Sequence, residues 1–173
     1  MARRSYFSSL GLGAFLVGCC LLTSCGSPGR LAVGSPAPEL AMPLLDGSAW
    51  MPSDGPILVN FWATWCLACK VALPELQSLA ESGAVSVVGL ALDSDAATVA
   101  GFAGKHDISY PLALDDGELF DRFDGLAIPH SVLLDSDGQV LGIYRGSVRE
   151  PDVVDDLNRA AVGAAAGRAG AGR

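Results

Sequence analysis

The stretch Asn60 to Glu75, NFWATWCLACKVALPE, decides how the rest of the chain is read. It holds two cysteines, Cys66 and Cys69, with two residues between them, about one turn apart on a helix. Overlapping its start, PILVNFW (56–62) is a continuous apolar run of strand length, the pattern of a strand buried on both faces. A helix from about Leu67 to Ser82 should follow and close at Gly83, a residue suited to the left-handed position after a helix. Cys66 then falls where unpaired backbone N–H groups and the positive end of the helix dipole favour thiolate over thiol. Cys69 lies one turn further in on the same face, more buried and more protonated. Such a pair suits a two-step exchange in which Cys66 attacks a partner's disulfide and Cys69 resolves the mixed disulfide. By itself the C-x-x-C spacing is shared with zinc sites.

Outward from this stretch, strands alternate with helices. AVSVVGLALD (84–93) reads as a second buried strand and SDAATVAGFAGKH (94–106) as a helix with a serine or aspartate cap. ISYPLALD (108–115) reads as a third strand and GELFDRF (117–123) as a short helix. IPHSVLLDSDGQVLGIYRG (128–146) gives two strands joined at Asp135-Ser136-Asp137-Gly138, and EPDVVDDLNRA (150–160) a terminal helix with Pro151 in its first turn. LAMPLLDGSAW (40–50) reads as a hairpin turning at Asp46-Gly47. The expected class is α/β, a mixed central sheet flanked by helices.

The N-terminal region has a different character. Arg3 and Arg4 precede the apolar run LGLGAFLVGCCLL (10–22), too short for a stable membrane span and of the form of an export signal. LTSC (22–25) looks like the lipobox of bacterial lipoproteins, which implies cleavage after residue 24 and lipidation of Cys25, with two acyl chains giving stable anchoring. The expected organisation is a signal peptide (1–24), a lipid-anchored flexible tether (25–37) rich in Gly, Pro and Ser, a folded domain (38–161) and a low-complexity tail (162–173). Cys19 and Cys20 leave with the signal, so Cys66 and Cys69 are the remaining thiols of the five cysteines. The compartment implied is extracytoplasmic, at the periplasmic or outer face of a bacterial membrane, where disulfides persist.

The full chain carries a formal charge of −8, and removal of Arg3 and Arg4 makes it −10. Nucleic acids and anionic lipid surfaces are poor partners for such a surface.

In the context of strand, aromatic, Trp and C-x-x-C, the sequence resembles the thioredoxin superfamily, and within it the TlpA/ResA-like branch of membrane-tethered bacterial thiol-disulfide oxidoreductases. ILVNFWATWCLACK (57–70) is similar to that branch's active-site stretch, Pro74 sits where its first long helix is kinked, and GLAIPHSVLLDSDGQV (125–140) is similar to its cis-proline segment. The resemblance runs from about Ser35 to Ala160. It implies a thioredoxin fold with an inserted αβ element before the cis-proline segment and an N-terminal β-hairpin. It also implies a cis Pro129 whose neighbour Ile128 pairs with an extended substrate segment. Trp62 and Trp65 could each be a core aromatic or a rim contact for a substrate, and the reading favoured is core for Trp62 and rim for Trp65. Implied clients are apocytochromes c or other exported proteins whose cysteines are kept reduced. A DsbD/CcdA-like membrane carrier would recharge the pair, and no cofactor is needed beyond the Cys66–Cys69 disulfide.

Two departures from the family pattern bear on the proton of Cys69. Asn60 stands where many thioredoxins have a buried acid, and Ala72 where ResA-like members often have glutamate. Glu75, the nearest acid, is expected to face solvent. Leu67 and Ala68 between the cysteines are uncharged, which leans the pair toward a reducing potential, with Lys70 adding some thiolate stabilisation.

A second reading uses His130, next to Pro129, to complete a Cys2His copper site with Cys66 and Cys69, as in a metallochaperone-type carrier. The Sco-type copper chaperones space their cysteines C-x-x-x-C, which differs from the spacing here. His106 is read as a dipole partner at a helix C-terminus, and Asp115, Asp116, Glu118, Asp121 and Asp124 as a solvated face.

Overall fold

The computed structural model describes residues 30–51, 54–93 and 95–170, the last eight of these by backbone alone. The expected signal peptide and Cys25 lie outside the described residues. Along the chain come β1 (Ile57–Trp62), α1 (Leu67–Ser82), β2 (Ser86–Ala91), α2 (Ala96–Lys105), β3 (Leu112–Leu114), α3 (Glu118–Arg122), β4 (His130–Leu134), β5 (Val140–Arg145) and α4 (Glu150–Gly170). The sheet order is β3-β2-β1-β4-β5, with β1, β2 and β3 parallel, β4 antiparallel to β1, and β5 antiparallel to β4. This mixed, helix-flanked sheet is the thioredoxin-like fold.

β1 is the central strand, and all six of its residues are buried. Side chains alternate across a strand, so β1 feeds two cores. Leu58 and Trp62 pack with Cys69, Leu76, Leu79, Val99 and Val153, and Ile57, Val59 and Phe61 pack with Met42, Trp50, Leu119 and Phe123. Leu58, Leu76 and Leu79 are at most 1% exposed, and each such side chain contributes about 1.5–3 kcal/mol of burial free energy. α1 starts at the N-cap Cys66 and stops at Gly83, whose φ of 69° is the left-handed conformation expected there.

Several elements differ from expectation. The hairpin at 40–50 contracts to one internal bridge, Pro43 with Ala49, closed by Asp46 accepting from Ser48. Its outer arm is used instead to pair Leu44 and Leu45 with the β3 edge, which satisfies backbone groups there. The third strand shrinks to three residues because Pro111 has no N–H to donate. Residues 34–37, expected within the tether, run along the β4–β5 turn: Gly34 N–H reaches Val140 O at 2.8 Å and Ala37 N–H reaches Gly138 O at 2.9 Å. The ordered domain therefore begins before residue 38, because that turn offers unpaired backbone partners. α4 continues to Gly170 instead of ending near Ala160, as its alanine-rich sequence favours.

Candidate active site

The site forms where β1 hands over to α1. The turn closes with Cys66 N–H on Ala63 O at 3.1 Å, and Cys66 becomes the N-cap, its Sγ accepting the Cys69 N–H at 3.1 Å. Cys66 and Cys69 form a disulfide with Cα atoms 5.3 Å apart. When the pair is reduced, the same N–H and the helix N-terminus stabilise charge on the Cys66 sulfur. Both cysteines are buried, Cys69 more deeply, but the surrounding rim is open. Trp65, Leu67, Lys70 and Ala68 are exposed on the α1 side.

The second wall is the loop before β4. The Ile128–Pro129 bond is cis, and the Ile128 carbonyl oxygen lies 3.8 Å from the Cys66 Sγ. Ile128 is half-buried, and Leu126 beside it is 71% exposed. Sequence reasoning did not single out Leu126, which stands two residues before Ile128.

Beneath the cysteines, Asn60 is buried in β1, its Nδ2 donating to Ser131 Oγ at 2.9 Å while its Oδ1 has no partner. Trp62 packs inward, its ring 5.4 Å from that of Phe102. Lys70 Nζ sits 5.6 Å from the Phe102 ring centroid, an attraction that draws its ammonium toward α2. His106, the C-cap of α2, stacks on the same ring at 4.2 Å.

His130 does not join this group. It pairs across the sheet with Phe61, stacks on it at 5.9 Å, and belongs with Phe120 and Phe123, on the face of the sheet opposite the cysteines. Its Nε2 lies 3.0 Å from Phe123 O and must carry the hydrogen, since a carbonyl only accepts. Strand alternation sends residue 130 away from Cys66, so the Cys2His copper reading loses its third ligand. Burial pushes the His130 pKa below its usual value, with the Phe123 bond opposing.

Glu75 also differs from expectation. Its carboxylate accepts the backbone N–H of Glu150 and ties α1 to the start of α4. Nor is the acidic cluster simply solvated. Asp115 is 6% exposed and accepts the N–H groups of Leu119 and Phe120, capping α3, and Asp124 takes Arg30 and Arg145. Sequence reasoning also missed Asp93, whose carboxylate grips Thr64 two residues before Cys66. The available signal was an acid closing the apolar run 84–93.

The Redoxin family model matches residues 32–160. This chain belongs to the Redoxin family. Among Redoxin relatives, the thiol:disulfide interchange protein DsbE of Pseudomonas fluorescens biotype C is 30% identical over 136 residues, 75% of each chain. The thiol-disulfide oxidoreductase ResA of Bacillus subtilis (strain 168) is 26% identical over 135 residues, 74% of this chain and 75% of that one. The crystal structure of StoA from Bacillus subtilis shares the fold with a TM-score of 0.60 at 24% identity, covering 68% of this chain and 95% of that one. With its C-x-x-C pair closed at the start of α1, this Redoxin protein is a thioredoxin-like thiol-disulfide oxidoreductase of the TlpA/ResA type.

Proposed function

We propose that the protein is an extracytoplasmic, lipid-anchored reductase of protein disulfides. The observation that supports disulfide exchange is the Cys66 sulfur at the α1 N-cap, 3.8 Å from the Ile128 carbonyl, with exposed Trp65 and Leu67 on either side of Cys66 in the chain and exposed Leu126 two residues before Ile128. An extended client segment lies along the Ile128 loop with its apolar neighbours on that rim. The Cys66 thiolate attacks one sulfur of the client disulfide, forming a mixed disulfide and releasing a client thiolate. The Cys69 thiolate then attacks the Cys66 sulfur, releasing the second client thiolate and closing Cys66–Cys69. Two electrons pass to the client, and protons from solvent convert its thiolates to thiols. The pair itself is the redox group, and no cofactor is required.

The client class we favour is apocytochrome c or other exported proteins with cysteines to be kept reduced. A DsbD/CcdA-like carrier in the membrane returns two electrons to the pair. The names of the DsbE and ResA relatives support the exchange chemistry, and the LTSC sequence supports the anchor at Cys25.

The test is the reduction potential of Cys66–Cys69 in the full chain, equilibrated in detergent with dithiothreitol or glutathione buffers. The expected value is near or below about −270 mV, and a value near about −120 mV would make the protein an oxidant instead.

A further inference from the structure

Asp93 follows β2, and the chain there is zipped to the end of β1 by Leu92 N–H on Trp62 O at 2.9 Å. One residue later the contact passes to a side chain. Asp93 Oδ2 accepts the Thr64 N–H at 2.9 Å, and Asp93 Oδ1 accepts the Thr64 hydroxyl at 2.6 Å. Thr64 and Trp65 are the two corner residues of the turn that Cys66 N–H closes on Ala63 O. Both oxygens of one half-buried carboxylate are therefore spent on the turn that aims the nucleophile and its exposed tryptophan.

We propose that Asp93 is a positioning residue with two separable effects: its bonds pin the turn carrying Cys66, and its negative charge holds the pair toward the reducing side. The second effect rests on the reductase reading above. A carboxylate two residues from the attacking sulfur along this bonded path disfavours the Cys66 thiolate. The oxidised form carries no thiolate, so the charge weighs against the dithiol form alone. Lys70, the one cation in the 60–75 stretch, has its ammonium drawn over the Phe102 ring, and Asp115 and Asp116, which line the same cleft as Asp93, carry charge of the same sign and do not oppose it.

The grip and the charge are separated by substitution in the full chain. Asp93→Asn keeps one acceptor for the Thr64 N–H and one donor for its hydroxyl oxygen, and removes the charge. It should lower the pH at which Cys66 ionises, read by thiolate absorbance. It should also shift the glutathione equilibrium toward the dithiol about fivefold, equivalent to about 20 mV upward in potential. Thr64→Val keeps the charge and removes one bond. At a pH where Cys66 is fully ionised, its attack on a model disulfide should slow about tenfold. Thr64→Ser, which keeps both bonds, should restore the rate.

A D93N protein with wild-type equilibrium and titration overturns the charge effect, and a T64V protein attacking at the wild-type rate overturns the grip. If D93N fails to fold, by circular dichroism, Asp93→Ser, which removes the charge and keeps a hydroxyl toward Thr64, serves in its place, and a wild-type titration in that variant overturns the charge effect. A wild-type pair that exchanges with nothing would sink the oxidoreductase reading itself, before any variant is compared.

Discussion

The Cys66 sulfur and the Ile128 carbonyl oxygen, 62 residues apart in sequence, are 3.8 Å apart in the fold. β1 and β4 are antiparallel neighbours, Phe61 opposite His130, so the chain leaving β1 and the chain entering β4 meet at the same end of the sheet. Cys66 and the Ile128 loop are thereby held at the ends of adjacent strands, and under the proposed function a client docked on the loop is presented to the sulfur.

The two sulfurs should be separable by role. Cys69→Ser should attack a client disulfide within about threefold of the wild-type rate and then stall as a mixed disulfide, while Cys66→Ser forms none. Non-reducing electrophoresis with mass spectrometry of the trapped adduct reads this directly. Accumulation of adduct on Cys66→Ser alone would reverse the assignment.

Trp65 is 67% exposed, so its removal should leave stability within about 0.5 kcal/mol. Trp65→Ala should nevertheless raise KM for an unfolded protein disulfide about tenfold, the effect of losing about 1.4 kcal/mol of contact. A small disulfide that does not reach the rim should react as with wild type. Leu126→Ala should behave in the same way. Equal losses on both substrates would mean that these side chains act on the cysteines and not on the client.

His130 should set part of the acid dependence of stability. It is buried and its folded pKa lies below 6.5, so the unfolded chain binds the proton more readily. Stability is therefore full above about pH 6.5 and falls as pH drops through that value toward the folded pKa. Asp46, Asp95 and Asp124, whose pKa values are lowered by hydrogen bonds, lose their stabilisation in a separate and lower range, below their ordinary 3.8. Denaturant titrations between pH 7.5 and about 5 should show the His130 segment in the wild type and lose it in His130→Gln, which keeps a donor for Phe123 O.

Gly89 should not accept a side chain. A Cβ there would sit 2.6 Å from Leu112 Cδ2 and 3.0 Å from Trp62 Nε1, inside the core that backs the cysteines. Gly89→Ala should cost about 1–3 kcal/mol through overpacking. Thermal melting should show this as a drop of about 2–4 °C per kcal/mol for a domain of this size. An unchanged Tm would mean that Leu112 and Trp62 yield freely.

Local signals were legible in particular places. The apolar run at 57–62 is buried on both faces, α1 starts after Cys66 and stops at Gly83, and Asp95 caps α2, because hydrophobic pattern, turn glycine and cap chemistry each act over a few residues. The side of the sheet taken by His130, the use of Glu75 on α4, and the retention of Asp115 and Asp124 in caps and ion pairs were not legible. Each depends on a partner distant in sequence, and the same polar residue reads as solvated until that partner is known.

By itself, the sequence determined where the Cys66–Cys69 pair sits, at a helix start after a buried strand, since run, cap and spacing are local patterns, and the surrounding motif gave that pair its redox reading. The tertiary structure alone decided what else surrounds that pair: Asp93 gripping its turn, and His130 on the far face. These depend on strand order and pleat, and a shift of one residue in the β1–β4 register would exchange every one of β4's side chains between the two cores.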